Sequence, residues 1–127
     1  MAHNELYLAW LNDAYGLEQS LVQTLERHVK DAKDHPQIEA RLQQHLEETR
    51  RHADLVESCI VRLGSSTSSI KSGMSTIMGV VQGISTGPAK DELIKNALAD
   101  YSAEHFEIAS YTSLISAAQS LGDLETA

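Results

Sequence analysis

The chain has 127 residues, 42% of them hydrophobic and 22% charged, which is the composition of one ordinary globular domain and not of a disordered segment. Its formal charge of −8, from 10 basic and 18 acidic residues, argues against nucleic acid and anionic membrane surfaces, since phosphate binding needs clustered Lys and Arg. Aromatics at 5% and the abundance of Leu, Ala, Glu and Gln favour helices over strands.

A first helix is predicted from Asn4 to about Ala32. Tyr7, Leu11, Ala14, Leu21, Leu25 and His28 recur at gaps of three and four, and Glu18 fills the position that interrupts the row. Asn4 is a candidate cap. Asp34-His35-Pro36 ends the helix, because proline pushes its predecessor out of helical geometry. A second helix starts at Pro36, where a first-turn proline is tolerated, and runs to about Leu63, with Gly64 as its stop. Its predicted inward row is Ile38, Leu42, His45, Thr49, His52, Val56, Cys59 and Leu63. The short loop between the two makes them antiparallel neighbours.

The polar run Gly64-Ser65-Ser66-Thr67-Ser68-Ser69 is followed by Ile70, Met74, Ile77, Met78, Val81 and Ile84 at helical spacing, predicting a short crossover helix closed by Gly87-Pro88. So long a connection suits a chain that must cross from one end of a bundle to the other. A third long helix is predicted from near Pro88 to about Leu121, capped by Gly122, with the row Ile94, Ala97, Tyr101, position 104, Ile108, Tyr111, Ile115 and Ala118. The final Asp123-Leu124-Glu125-Thr126-Ala127 reads as the capped start of a further helix, so the expected domain spans 1–127 and is truncated there.

Two of the inward rows therefore turn acidic, at Glu18 and at Glu104, and the second helix carries His45, Glu48 and His52 on one face. Burying an unpaired carboxylate costs several kcal/mol or so, and a shared divalent cation would offset it. Glu107 follows Glu104 by one turn. For each residue alone, a register device or an ordinary ion pair is the better explanation of the charge. Their common depth, near the middle of each helix, points to a metal cluster. His3, His28 and His35, near helix ends, are read as solvated or capping. Asp13 and Asp100 are read as second acceptors or surface acids, and Tyr101 as a candidate hydrogen-bond donor to a ligand carboxylate.

One cysteine, Cys59, allows no internal disulfide and fits a reducing compartment. The N-terminus lacks the pattern of a signal peptide, and no run approaches the roughly 20 apolar residues of a membrane span. Soluble and cytoplasmic is the expectation.

Three phrases carry a family resemblance: Leu11-Asn12-Asp13-Ala14-Tyr15-Gly16-Leu17-Glu18, His45-Leu46-Glu47-Glu48-Thr49-Arg50-Arg51-His52, and Glu104-His105-Phe106-Glu107-Ile108-Ala109-Ser110-Tyr111. In order, they resemble the signatures of the YciE/YciF-type bacterial stress proteins of the ferritin-like superfamily. The resemblance implies an all-α, ferritin-like antiparallel four-helix bundle, of which three long helices and a short crossover helix are present here. It implies two divalent metal ions, Fe or Mn, held by Glu18, Glu48 and Glu104, with His52, His45 and Glu107 beside them. The spacing of Glu48 and His52 departs from the general Glu-x-x-His pattern, and the fourth helix bearing the last acidic ligands is not present. A homodimer in the bacterial cytoplasm, expression under stress, and peroxide dismutation of the manganese-catalase kind, with peroxide or dioxygen as substrate, are also implied. The alternative is a non-enzymatic metal-binding or structural helical stress protein.

Overall fold

A computed structural model describes residues 2–65 and 92–127, and within these all regular structure is α-helical. The helices are α1 (Ala2–Asp31), α2 (Pro36–Arg62) and α3 (Glu92–Ser120). The crossover helix predicted around Ile70–Ile84 lies outside the described residues. None of the described helices is long and apolar enough to cross a membrane.

Local signals set the boundaries. Pro36 occupies the first turn of α2, after His35 at φ −130°. Gly64 and Gly122 take φ of +81° and +78°, the left-handed conformation that lets the chain turn back on the last helical carbonyls. At both ends a six-to-one bond closes the turn, from Ser65 N–H to Ile60 O at 3.2 Å and from Asp123 N–H to Ala118 O at 2.8 Å. At the other end of the chain α1 begins at Ala2, so Asn4 is inside the helix and is not its cap.

α1 is the central helix and packs against both α2 and α3, whose Cα atoms nowhere come within 8 Å of each other among the described residues. Its buried row is the predicted one, Tyr7, Leu11, Ala14, Glu18, Leu21, Leu25 and His28, joined by Leu17 and Ala32. Arg50 pairs with Glu26, while Val56 and Ile60 pack with Tyr7 and Leu11, so α2 runs antiparallel to α1. His28 meets Asp100 and Tyr7 meets Asp123, so α3 is antiparallel to α1 as well. α2 and α3 thus run in the same direction. Ser65 and Glu92 accordingly sit at opposite ends of α1, as a crossover connection requires.

The inward faces of the outer helices differ from the predicted rows. On α2 the buried residues are Leu46, Thr49, Ala53, Val56 and Ile60, a row displaced from the one expected; His52 is exposed, Ile38 is 43% exposed, and His45 and Cys59 are half-buried. On α3 the difference is larger. Asn96, Ala99, Asp100, Ala103, Leu114 and Ala118 are buried, whereas Ile94, Tyr101 and Ile108 are each more than 60% exposed. This helix has two apolar faces, one of large residues and one of small ones. The alanine face meets α1 because small side chains allow close approach of the two helices. A periodicity reading weighted by side-chain size selects the other face.

Beyond Gly122 the chain folds back against the start of α1. Tyr7 Oη donates to Asp123 Oδ2 at 2.9 Å, and Arg62 reaches Asp123 and Glu125 at 3.4 and 3.0 Å and also bonds Thr126. Asp123 makes the bonds of a helix cap, accepting the Thr126 amide at 3.3 Å through its side chain and the Ala127 amide at 3.2 Å through its carbonyl.

Candidate metal centre

Glu18 lies near the middle of α1 and is fully buried, on the face that α2 and α3 flank. At its level α2 contributes His52 and α3 contributes Glu107 and Tyr111. One ligand atom each from Glu18, His52 and Glu107 lie within 4.8 Å of one another, the one such group of three among the described residues. Tyr111 Oη donates a 2.7 Å hydrogen bond to Glu18 Oε1. Glu107 and Tyr111 are four apart on α3, so both face α1.

Two buried carboxylate oxygens at this level, Glu18 Oε2 and Glu107 Oε1, receive no bond from a fixed donor among the described residues, and the two carboxyl groups are close enough to share a proton. A buried carboxylate without a fixed donor is expensive, and here two carboxyl groups sit together beside an imidazole. Hard oxygen donors with one nitrogen are the donor set of iron and manganese, not of a thiolate-rich zinc site. The residues therefore fit a divalent cation, on the ground of their own unmet bonding capacity.

The metal-free electrostatics point the same way. Burial raises the pKa of Glu18, against the Tyr111 hydroxyl, His52 and Glu107, which lower it. Burial, followed by the charges of Glu18 and Glu104, pushes Glu107 up to about 8. Burial and the adjoining Glu18 carboxylate also raise Tyr111, so its phenol stays protonated and remains a donor. At neutral pH the metal-free centre keeps a proton on Glu107, which relieves repulsion between the two carboxyl groups.

The sign of the resulting pH dependence follows. Glu107 titrates near 4.5 in the unfolded chain and near 8 in the folded one, so the folded state is the better proton binder between those values. Stability of the metal-free protein is full below pH about 4.5 and falls as pH rises toward about 8. After allowance for solvent screening of a half-buried group, the loss should be about 2 kcal/mol. In Glu107→Gln this falling limb should be much shallower, with only the raised Glu18 contributing to it. Chemical denaturation at a series of pH values reads it, and an equal slope in the variant would refute the assignment to Glu107.

The remaining predicted residues are arranged as follows. Glu104 is exposed, one turn from Glu107, and pairs with His45 Nε2 at 3.3 Å. Glu48 is half-buried and stands outside the group of three. Tyr101, read as the donor to a ligand carboxylate, is 62% exposed and stacks edge-on to His105 at 4.4 Å; Tyr111 fills that role instead. The rotation of α3 toward its small-residue face is the cause, since it turns residues 100, 103, 107 and 111 inward and residue 101 outward.

A second buried polar cluster joins α1 and α3 nearer the Glu92 end. His28, read as an end-of-helix residue, is fully buried, with Nδ1 3.0 Å from Oδ2 and 2.9 Å from Oδ1 of Asp100. Asn96 Nδ2 donates to Asp31 Oδ2 at 3.1 Å nearby. His28 lies on the predicted inward row of α1, and that periodicity was the signal for its burial.

Beside the centre, a groove of about 640 Å³ opens between α2 and α3, with Leu11, Leu55, Val56, Ile108 and Ile115 among its lining residues. His52, Glu107 and Tyr111 reach its wall.

Over residues 2–127 the chain matches the family described as Domain of unknown function (DUF892). It belongs to that family. DUF892 is a ferritin-like family, in keeping with a buried carboxylate grouped with a second carboxylate and an imidazole at mid-height between long helices.

Proposed function

We propose that this DUF892 chain is a metal-binding, ferritin-like protein of the YciE/YciF stress-protein type, with Glu18, His52 and Glu107 as ligands to Fe or Mn. The observation that carries the reading is the pair of buried oxygens, Glu18 Oε2 and Glu107 Oε1, which no fixed donor reaches, in one group with the His52 ring. The neighbouring His45 and Glu104 pair, one to two turns away on the same two helices, offers donors for a second ion, and Glu48 is the remaining carboxylate for it.

A redox-active metal bound here would supply the electron exchange needed to dismute peroxide. The protein's own residues do the rest. Glu18 and Glu107 balance the charge of the cation, Tyr111 orients Glu18, and Leu11, Val56 and Leu114 keep water from one side of the centre. Glu107 gives up its proton when metal enters, so metal uptake should strengthen with pH up to about 8. The family resemblance further supports a cytoplasmic homodimer induced by stress, with peroxide or dioxygen as substrate.

The test is to load purified protein with Mn(II) or Fe(II), remove free ions, and measure bound metal and peroxide consumption. Bound metal with turnover above free-metal controls supports a dismutase. Bound metal without turnover supports the sequestration reading. Protein that retains no metal overturns both.

A further inference from the structure

Resting on the metal-binding reading, we infer that Tyr111 is a positioning residue that holds Oε1 of Glu18 and so makes Glu18 a one-oxygen ligand through Oε2. Three observations lead there. The Tyr111 hydroxyl is 2.7 Å from Oε1, a well-formed hydrogen bond. Oε2 of the same carboxylate is buried and no fixed donor among the described residues reaches it, so one oxygen is anchored by a hydroxyl and the other is not. The group with His52 and Glu107 is on hand to share a cation with it.

Geometry ties these together. Glu18 is fully buried, so water cannot compete for either oxygen. A carboxylate that chelates a cation must turn both oxygens toward it. Here that turn would pull Oε1 out of line with the hydroxyl and weaken its bond inside the protein. Tyr111 comes from the same face of α3 as Glu107, four residues on. One helix thus delivers both a ligand and the group that sets the orientation of the ligand opposite. Outer-shell partners of this kind govern ligand orientation and metal affinity.

The test compares wild type with Tyr111→Phe, which keeps the ring and removes the hydroxyl. Mn(II) is titrated by calorimetry, and the bound ion is read by electron paramagnetic resonance. The variant should bind the same number of ions about tenfold more weakly, with an altered spectrum, because Glu18 is free to chelate. An affinity within about twofold of wild type and a superimposable spectrum would overturn the assignment while leaving the metal centre standing. If wild type itself binds no Mn(II), the metal-binding reading fails and this inference goes with it.

Should Tyr111→Phe not fold, the infrared difference spectrum of wild type on Mn(II) loading decides. A widely split pair of carboxylate stretches, the signature of one-oxygen ligation, sustains the inference. Narrow, chelate-type splittings alone overturn it.

Discussion

Replacing Glu18 with Gln should lower Mn(II) or Fe(II) affinity by about 100-fold or more while leaving the helices intact. Glu18 is the fully buried member of the group with His52 and Glu107, and no fixed donor among the described residues reaches its Oε2. Gln keeps the volume and can still accept the Tyr111 hydroxyl, so the packing around α1 has no reason to change. What disappears is the negative charge that balances the cation in a low-dielectric setting, which is the largest electrostatic contribution one ligand makes. Without metal the effect reverses. A buried carboxyl whose charged form is disfavoured by burial is replaced by a neutral amide, and the melting temperature should hold or rise. Metal titration and thermal unfolding on the same two proteins give both readouts. Undiminished metal binding by Glu18→Gln would remove Glu18 from the centre.

Asp100→Ala should be strongly damaging although it lies away from the centre, costing about 2–3 kcal/mol. Asp100 is the acceptor for a fully buried imidazole, and both its oxygens lie within 3.0 Å of His28 Nδ1. His28 Nε2 has no partner among the described residues, so removing Asp100 leaves the ring without any bond on either nitrogen. The melting temperature should fall by about 10 °C for a domain of this size. His28→Leu, which deletes the polar ring together with its need for a partner, should cost less in the Asp100→Ala background than in wild type. A double-mutant cycle measured by chemical denaturation reads the coupling. Additive effects would show that the pair does not act as a unit.

Glu18 is readable from the chain as a buried carboxylate, whereas His28 and Asp100 read there as end-of-helix and surface groups and their pairing does not show. Glu18 interrupts an apolar row at 3.6-residue spacing, and that interruption marks a buried carboxylate before any fold is known. His45 and His52, two turns apart on one face, mark the second helix as the source of imidazoles in the same manner. Pro36, Gly64 and Gly122 punctuate the helices through backbone geometry alone, a property of the residue and not of its surroundings. The all-helical class, the existence of each of the three helices, the buried row of α1 and the antiparallel pairing of α1 with α2 all follow from signals of this local kind.

Rotation of a helix about its own axis is another matter, and there the tertiary structure decided. α3 carries large apolar residues at 94, 101, 108 and 115 and small ones at 99, 103 and 118, and hydropathy favours the first set. Close packing against α1 selects the second, since alanines let two backbones approach. That choice turns Glu107 and Tyr111 toward Glu18, leaves Glu104 exposed beside His45, and buries Asp100 against His28. Periodicity finds which residues share a face of one helix. Which face meets a neighbour depends on shape complementarity between two surfaces, and that information resides in neither helix by itself.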